Sequence, residues 1–146
     1  MKISLGCDHG AFALKEHIKS YLTAQGHEVV DCGTYSTDSC DYPAFAKAAA
    51  EKVASGECER GIVICTTGIG VSMAANKVHG VRCALCRDLL SAQLTRQHNN
   101  ANMLALAGGF IGSFEAEHIV DTFLTTEFEG GRHERRVNLV MDIEKG

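Results

Sequence analysis

Short apolar segments alternate with helix-like segments along this chain, and this alternation constrains the fold more than any other feature. Five segments have the length and composition of buried strands: KISLGC (2–7), HEVVDCG (27–33), RGIVIC (60–65), VRCALC (81–86) and NMLALAG (102–108). The segments between them are helical in period or composition: 11–26, 42–56, 70–80 and 88–99. Such repetition predicts an α/β fold in which a mostly parallel sheet lies between helices and the crossovers are right-handed.

Two further helices are expected after the last strand, over 114–128 and from about His133 onwards. The chain has 146 residues, of which 45% are hydrophobic, and this is enough for one sizeable core. No linker, repeat or low-complexity tract divides it. We therefore expect residues 1–146 to form a single domain.

The overall composition excludes several classes of partner. The formal net charge of −4 offers no general attraction for nucleic acid or for an anionic membrane. No segment resembles a signal peptide or approaches the ~20 apolar residues of a membrane span, so we expect a cytoplasmic protein. Seven cysteines are an odd number, which favours free thiols over a disulfide framework.

Polar turns follow the first and third predicted strands, Asp8-His9 after one and Thr66 to Gly70 after the other. In open parallel sheets, ligands bind at the carboxyl ends of the strands. A glycine turn that opens a helix points free amides at a bound anion or oxyanion. Taken alone, TGIG is more typical of a tight turn, whereas Cys65 before it makes a functional loop equally consistent with the sequence. Cys65 is then either core filler or a reactive group.

Two other features have structural and functional interpretations. His98 and Asn99 end a predicted helix, where such residues often cap the helix. Arg132 and Arg136 are spaced i, i+4, which suits either a phosphate clamp or a solvated basic turn. The seven histidines have no helical metal-ligand spacing, and Cys83 and Cys86 would face opposite sides of a strand. The sequence therefore predicts no metal site.

Four motifs together resemble one known family. CDHGAFALKE, CTTGIGVSMAANKVHGVR, RQHNNAN and FEGGRHERRV occur in the order and spacing of the sugar-phosphate isomerases that include ribose-5-phosphate isomerase type B and the galactose-6-phosphate isomerases of lactose metabolism. The resemblance covers nearly the whole chain. It implies a three-layer α/β/α Rossmann-like sandwich with a five-stranded parallel sheet, and an aldose–ketose isomerase that uses neither metal nor other cofactor.

The resemblance also implies roles for individual residues. Cys65 matches the base that moves a proton between C2 and C1 of the open-chain sugar, His98 the residue that opens the ring, and Thr67 a residue near the ring oxygen. The amides of Thr67 to Gly70 would stabilise the enediolate oxyanion. The remaining positions of the implied site are contacts to the sugar or its phosphate: Asp8, His9, Thr66, Gly68, Ile69, Gly70, Asn99, Arg132 and Arg136.

Family members place this site between two subunits, which implies a homodimer or homotetramer. A pentose phosphate, ribose 5-phosphate, is the first candidate substrate. A 6-phosphohexose such as allose or galactose 6-phosphate is the alternative, and so is a catalytically weak sugar-phosphate-binding paralogue.

Three positions depart from the family pattern. Thr66 replaces the glycine of Cys-Gly-Thr-Gly, Gly10 precedes the usual glycine position of the first motif, and Gly109 stands where many members have an arginine. Thr66 is expected to crowd its turn or to strain it if the backbone φ there is positive. Gly109 is expected to leave space in the pocket.

Overall fold

The computed structural model describes all 146 residues. Its strands are Lys2–Cys7 (β1), Glu28–Asp31 (β2), Arg60–Cys65 (β3), Cys83–Leu85 (β4) and Met103–Ala107 (β5). Its helices are Phe12–Ala24 (α1), Tyr42–Ala54 (α2), Ile69–Asn76 (α3), Leu89–Asn99 (α4), Ser113–Thr125 (α5) and Arg132–Asp142 (α6), with short 3₁₀ turns at His9–Ala11 and Ile143–Lys145. None of the helices has the length and apolar character needed to cross a bilayer.

All five strands are parallel and lie in the order β2-β1-β3-β5-β4. The predicted α/β class and five-stranded parallel sheet are therefore confirmed. The chain leaves β1 towards β2 on one side and returns to place β3 on the other side of β1. The carboxyl ends of β1 and β3 are thus neighbours at the point where the strand order reverses, which is where open α/β sheets bind ligands.

Two apolar clusters fill the spaces on the two faces of the sheet. One face is covered by α1, α4 and α5, whose buried residues include Ile18, Ala92 and Phe123. The other is covered by α2 and α3, through small residues such as Ala49 and Ala75. The central strands β3 and β5 are buried along most of their length because both of their faces pack against helices. The molecule therefore has the predicted three layers.

The predicted element ends agree with the structure to within a few residues, with one clear difference. The third helix was expected to continue to residue 80 but ends at Asn76. The side-chain amide of Asn76 donates to the carbonyl of Cys83 at 2.9 Å and accepts from its backbone amide at 2.8 Å. This pair of bonds ties the end of α3 to the start of β4, so the chain turns away instead of extending the helix.

The cysteines have the states that the sequence predicted. All seven are free thiols. Cys83 packs against the cluster beneath α2 and α3, whereas Cys86 belongs to the cluster on the opposite face of the sheet. The C-x-x-C spacing therefore does not form a metal site.

Candidate active site

The turn after β3 holds Cys65 in a defined position. Cys65 is 7% exposed, and its Sγ accepts a hydrogen bond from the amide of Gly68 at 3.1 Å. The hydroxyl of Thr67 lies 4.0 Å from the same sulfur. Gly68 has φ +73°, a left-handed conformation, and a Cβ there would run into the Leu85 side chain and the backbone of Leu106. Glycine is therefore required at 68 by both dihedral angle and space.

The amides of this turn are partly used within the chain. The Gly68 amide donates to Cys65, and the Ile69 amide donates to the Thr67 hydroxyl at 3.2 Å. The amides of Thr67 and Gly70 make no hydrogen bond within the chain, as expected for a helix start. The predicted oxyanion donors are thus reduced from four amides to two.

An open depression of about 440 Å³ lies above Cys65. It brings together residues predicted from two different turns with others that the sequence did not indicate. The predicted residues that line it are Asp8, Cys65, Thr66, Thr67, Ile69 and Gly70. Asp8 meets Cys65 because β1 and β3 pair directly. The Oδ1 atom of Asp8 accepts from the amide of Ala11 at 3.0 Å, so this carboxylate also caps the 3₁₀ turn that follows β1.

Tyr42 and Met73 also line this depression and were not identified from the sequence. Tyr42 begins α2, and its ring lies so close to Gly70 that a Cβ on that glycine would come within 2.6 Å of it. Met73 lies on α3, where its side chain is exposed. Tyr42 and Gly70 are 28 positions apart in the sequence. They meet only because α2 packs on α3, and no local pattern predicts that contact.

His9 lies beside the depression but does not line it. Its Nδ1 accepts a hydrogen bond from the amide of Cys40 at 3.2 Å, and the Cys40 sulfur is 3.8 Å from the same nitrogen. The segment between β2 and α2 therefore orients this imidazole. The tautomer with its proton on Nε2 is the one that this amide donor requires.

A second cavity, of about 350 Å³, contains the other predicted residues. His98 and Asn99 at the end of α4 line it together with Arg136 of α6. Arg132 starts the same helix but does not contribute to the lining. The helix cap is Asn100, with φ +47°, so the capping role considered for His98 and Asn99 belongs to the next residue.

Two further residues of this second cavity, Arg82 and His133, were missed by sequence reasoning. His133 is three positions before Arg136, so helical spacing could have identified it. Arg82 could not have been found in this way, because it lies on the segment before β4. Its guanidinium donates to the carbonyl of Asn100 at 2.9 and 3.1 Å, which holds the end of α4 beside this segment.

His98 and His133, which line the second cavity, form a cluster with Glu129. The two imidazole rings stack with 4.3 Å between centroids and 14° between planes. Partial burial, with the charges of His98 and Arg132 nearby, lowers the pKa of His133. The three side chains offer ligand atoms within 4.8 Å of one another.

Comparison with known proteins identifies the family of this fold and site. The profile of a family described as Ribose/Galactose Isomerase matches residues 3–140. The chain belongs to this family. Ribose-5-phosphate isomerase B of Escherichia coli (strain K12) is 47% identical over 144 residues, covering 99% of this chain and 97% of that protein. The structure of Clostridium thermocellum ribose-5-phosphate isomerase B has a TM-score of 0.98 and 52% identity, covering 99% and 98% of the two chains.

Another structure in the ribose/galactose isomerase family contains a sugar phosphate. Ribose-5-phosphate isomerase B from Mycoplasma genitalium with bound ribulose 5-phosphate has a TM-score of 0.95 and 44% identity, and the match covers 99% of this chain and 96% of that one. The resemblance inferred from the four sequence motifs is therefore confirmed at the level of family and fold.

The departures from the ribose/galactose isomerase pattern have a definite geometry. Thr66 is not among the residues with positive φ, so its turn is crowded but not strained. A Cβ placed on Gly109 would lie 2.6 Å from the Cγ2 of Thr66. The expectation that Gly109 leaves space is therefore wrong, because the methyl group of Thr66 occupies that space.

Proposed function

We propose that this protein is an aldose–ketose isomerase that interconverts ribose 5-phosphate and ribulose 5-phosphate. The observation that carries the proposal is the position of Cys65, held by the Gly68 amide beneath a depression that also contains Asp8 and Thr67. Membership of the ribose/galactose isomerase family supports the reaction class, and the names of its relatives support a pentose phosphate.

In the proposed reaction, the thiolate of Cys65 removes the proton from C2 of the open-chain aldose. The electron pair moves towards O1, and the enediolate oxygen that develops is within the region served by the free amides of Thr67 and Gly70. Return of the proton to C1 and transfer of the O2 proton to O1 complete the ketose. No atom or electron is gained or lost, so the step requires no cofactor.

Ring opening and phosphate binding are assigned to the second cavity. His98 would transfer the proton that opens the sugar ring, with Thr67 contacting the ring oxygen. Asn99 and Arg136 offer an amide and a guanidinium in the same cavity, and Arg132 adds a second cation at the start of α6. Arginine suits this role because its planar guanidinium donates two parallel hydrogen bonds to a phosphate.

We further propose that the complete site forms between two copies of the chain. The depression above Cys65 and the cavity beside His98 share no lining residue, yet both must act on one small substrate. Exposed apolar side chains lie on α3 and α4, the helices next to the two half-sites: Ile69, Met73, Leu89, Leu90 and Leu94. Exposed apolar side chains beside each half-site are typical of surfaces that a partner subunit covers.

Mixing two inactive variants tests the shared site. Cys65→Ala and His98→Ala should each be inactive alone, and unfolding and refolding them together should restore activity. Random pairing makes half of the dimers mixed, and each mixed dimer has one intact site of two, so about a quarter of the parent activity is expected. Failure of the mixture to exceed its components, although mixed dimers form, would place the whole site within one chain.

A second substrate class is favoured by one observation, namely that the family also includes galactose isomerases. Values of kcat/KM for ribose, allose and galactose phosphates would rank the substrates. Incorporation of solvent deuterium at C1 or C2 would separate an isomerase from a weak sugar-phosphate binder, since exchange requires an active base.

The seven free thiols support a cytoplasmic location, where thiols remain reduced.

A further inference from the structure

The side chain of Thr66 lies between two glycines that come from different loops. A Cβ on Gly109 would be 2.6 Å from Thr66 Cγ2 and 3.0 Å from the Thr66 carbonyl oxygen. A Cβ on Gly10 would be 3.0 Å from Thr66 Oγ1. Neither glycine has a positive φ, so the backbone conformation does not demand glycine at either position. The limited space beside Thr66 is what disfavours a side chain, strongly at 109 and mildly at 10.

Backbone hydrogen bonds prevent the two segments from separating. β3 and β5 pair in parallel up to Cys65 and Ala107, and the pairing continues beyond the strands. The amide of Gly108 donates to the carbonyl of Cys65 at 2.8 Å, and the amide of Gly109 donates to the carbonyl of Thr66 at 2.8 Å. A side chain at 109 therefore cannot gain room by a shift of its loop without breaking these bonds.

The Thr66 hydroxyl is available to a ligand. Thr66 is exposed, lines the depression above Cys65, and its hydroxyl makes no hydrogen bond within the chain. Its methyl group points towards Gly109 and its hydroxyl towards Gly10. The residue that follows the proposed base thus presents one unpaired polar group to the pocket.

The geometry points to Thr66 as a specificity-determining residue that acts as one unit with Gly109 and Gly10. Its methyl group excludes any side chain at 109, and its hydroxyl supplies a neutral hydrogen-bonding contact to the sugar in this part of the pocket. The three departures from the family pattern are then linked: a threonine at 66 requires glycine at 109, where the overlap is severe, and favours glycine at 10, where the contact is only tight. The contact to the sugar rests on the proposed function, whereas the exclusion does not.

A double-mutant cycle on thermal unfolding tests the exclusion. Gly109→Ala should lower Tm by about 3–9 °C, because overpacking at this size of protein costs that much. In the Thr66→Ser background, which lacks the methyl group, Gly109→Ala should lower Tm by at most half as much. The remaining decrease comes from the contact with the carbonyl oxygen of residue 66 at 3.0 Å. Gly112→Ala is the matched control, because nothing lies within 4 Å of its Cβ position and its φ is −83°.

The expected control result is the same small change in Tm in both backgrounds. Equal losses from Gly109→Ala in the parent and in Thr66→Ser would overturn the exclusion. If Gly109→Ala alone fails to fold, recovery of folding by Thr66→Ser supports the inference, and failure of both variants to fold contradicts it.

Two substitutions at position 66 separate the hydroxyl from the methyl group. Thr66→Val keeps the shape and removes the hydroxyl, so KM for ribose 5-phosphate should rise about 2- to 12-fold, the range for one neutral hydrogen bond. Thr66→Ser keeps the hydroxyl and should change KM less than about 2-fold. An unchanged KM in Thr66→Val would overturn the contact to the sugar. If the parent protein showed no turnover, the proposed function would be refuted instead. The double-mutant cycle on thermal unfolding would still test whether the Thr66 methyl group excludes a side chain at 109.

Discussion

The imidazole rings of His98 and His133 stack face to face, 4.3 Å apart, although they come from α4 and α6. Glu129 lies between the two elements, with its Oε1 atom 3.4 Å from His133 Nε2 and 3.9 Å from His98 Nε2. The proposed ring-opening residue is therefore supported by a second histidine. The neighbouring His98 is one cause of the lowered pKa of His133, because like charges in contact repel each other.

Replacement of His133 should reduce the loss of stability at low pH. Partial burial, together with His98 and Arg132, lowers the pKa of His133 in the folded chain. The unfolded chain then binds more protons, so stability falls as pH drops through the ordinary histidine value of about 6.5. We expect Tm to fall less between about pH 7.5 and 5.5 in His133→Gln than in the parent. His79→Gln replaces an exposed histidine and is the control, so its Tm should fall with pH as much as that of the parent. An equal decrease in Tm in all three proteins would contradict the prediction.

Loss of the Cys65 thiol should abolish most turnover while leaving substrate binding largely intact. Cys65→Ala should reduce kcat at least ~10²-fold, the low end for a positioned acid–base group. Cys32→Ala, at a thiol that is less buried than Cys65 and lies outside the depression, is the control and should keep normal kcat. Steady-state kinetics with ribose 5-phosphate provides the measurement, and near-normal kcat in Cys65→Ala would refute its role as the base.

Alkylation should spare the thiols whose pKa burial raises most. Burial raises the pKa of Cys7 to about 11 and that of Cys83 to about 12, which makes these thiols poor nucleophiles at neutral pH. Iodoacetamide should inactivate the enzyme with modification of Cys65, and a sugar phosphate should protect it. Inactivation that persists in a protein with unmodified Cys65, as measured by peptide mass spectrometry, would point to another thiol.

Arg136 should contribute to phosphate binding more than Arg135 of the same helix. Arg136→Ala should raise KM for the phosphorylated sugar by an amount equal to about 1.5–3 kcal/mol, the value of a hydrogen bond to a charged group. Arg132→Ala should have a similar but separate effect if both form the clamp. Arg135→Ala removes the same charge from the same helix outside the cavity and is the control. Equal effects at 135 and 136 would indicate a general electrostatic field.

The buried Lys15 should be essential for stability. Its side chain is fully buried, and its Nζ donates to both carboxylate oxygens of Asp31 at 2.8 and 2.9 Å and to the carbonyl of Thr34 at 2.9 Å. Lys15→Met leaves a largely buried carboxylate without this partner, which should cost about 3–5 kcal/mol. Lys19→Met removes an exposed cation from the same carboxylate and should cost at most about 1 kcal/mol. Urea unfolding measures both, and equal costs would show that burial of the pair is unimportant.

Local patterns in the sequence were sufficient for the elements and for most of the candidate residues. Strand and helix periods predicted the five strands and six helices because side chains on either face of a buried sheet must be apolar. Residues that follow a strand directly, such as Asp8 and Cys65, could be placed at the ligand-binding edge by the same reasoning. Helical spacing was enough to pair Arg132 with Arg136.

Three relationships depend on contacts between elements that are distant in the sequence. These are the position of Tyr42 above Gly70, the pairing of Arg82 with the end of α4, and the ring stacking of His98 with His133. Periodicity reports which face of an element is buried, but it does not report what that face packs against. These relationships therefore could not be predicted from the sequence.

The sequence by itself determined the α/β class, the position of Cys65 at a strand end and the family to which the chain belongs, because each depends on residue type and local spacing. Only the tertiary structure decided the strand order β2-β1-β3-β5-β4, which brings Asp8 to Cys65 and Gly109 to Thr66. It also decided that the Cys65 depression and the His98 cavity are separate within one chain. Strand order follows from which crossovers pack best over the whole sheet, a balance of long-range contacts that no single segment encodes.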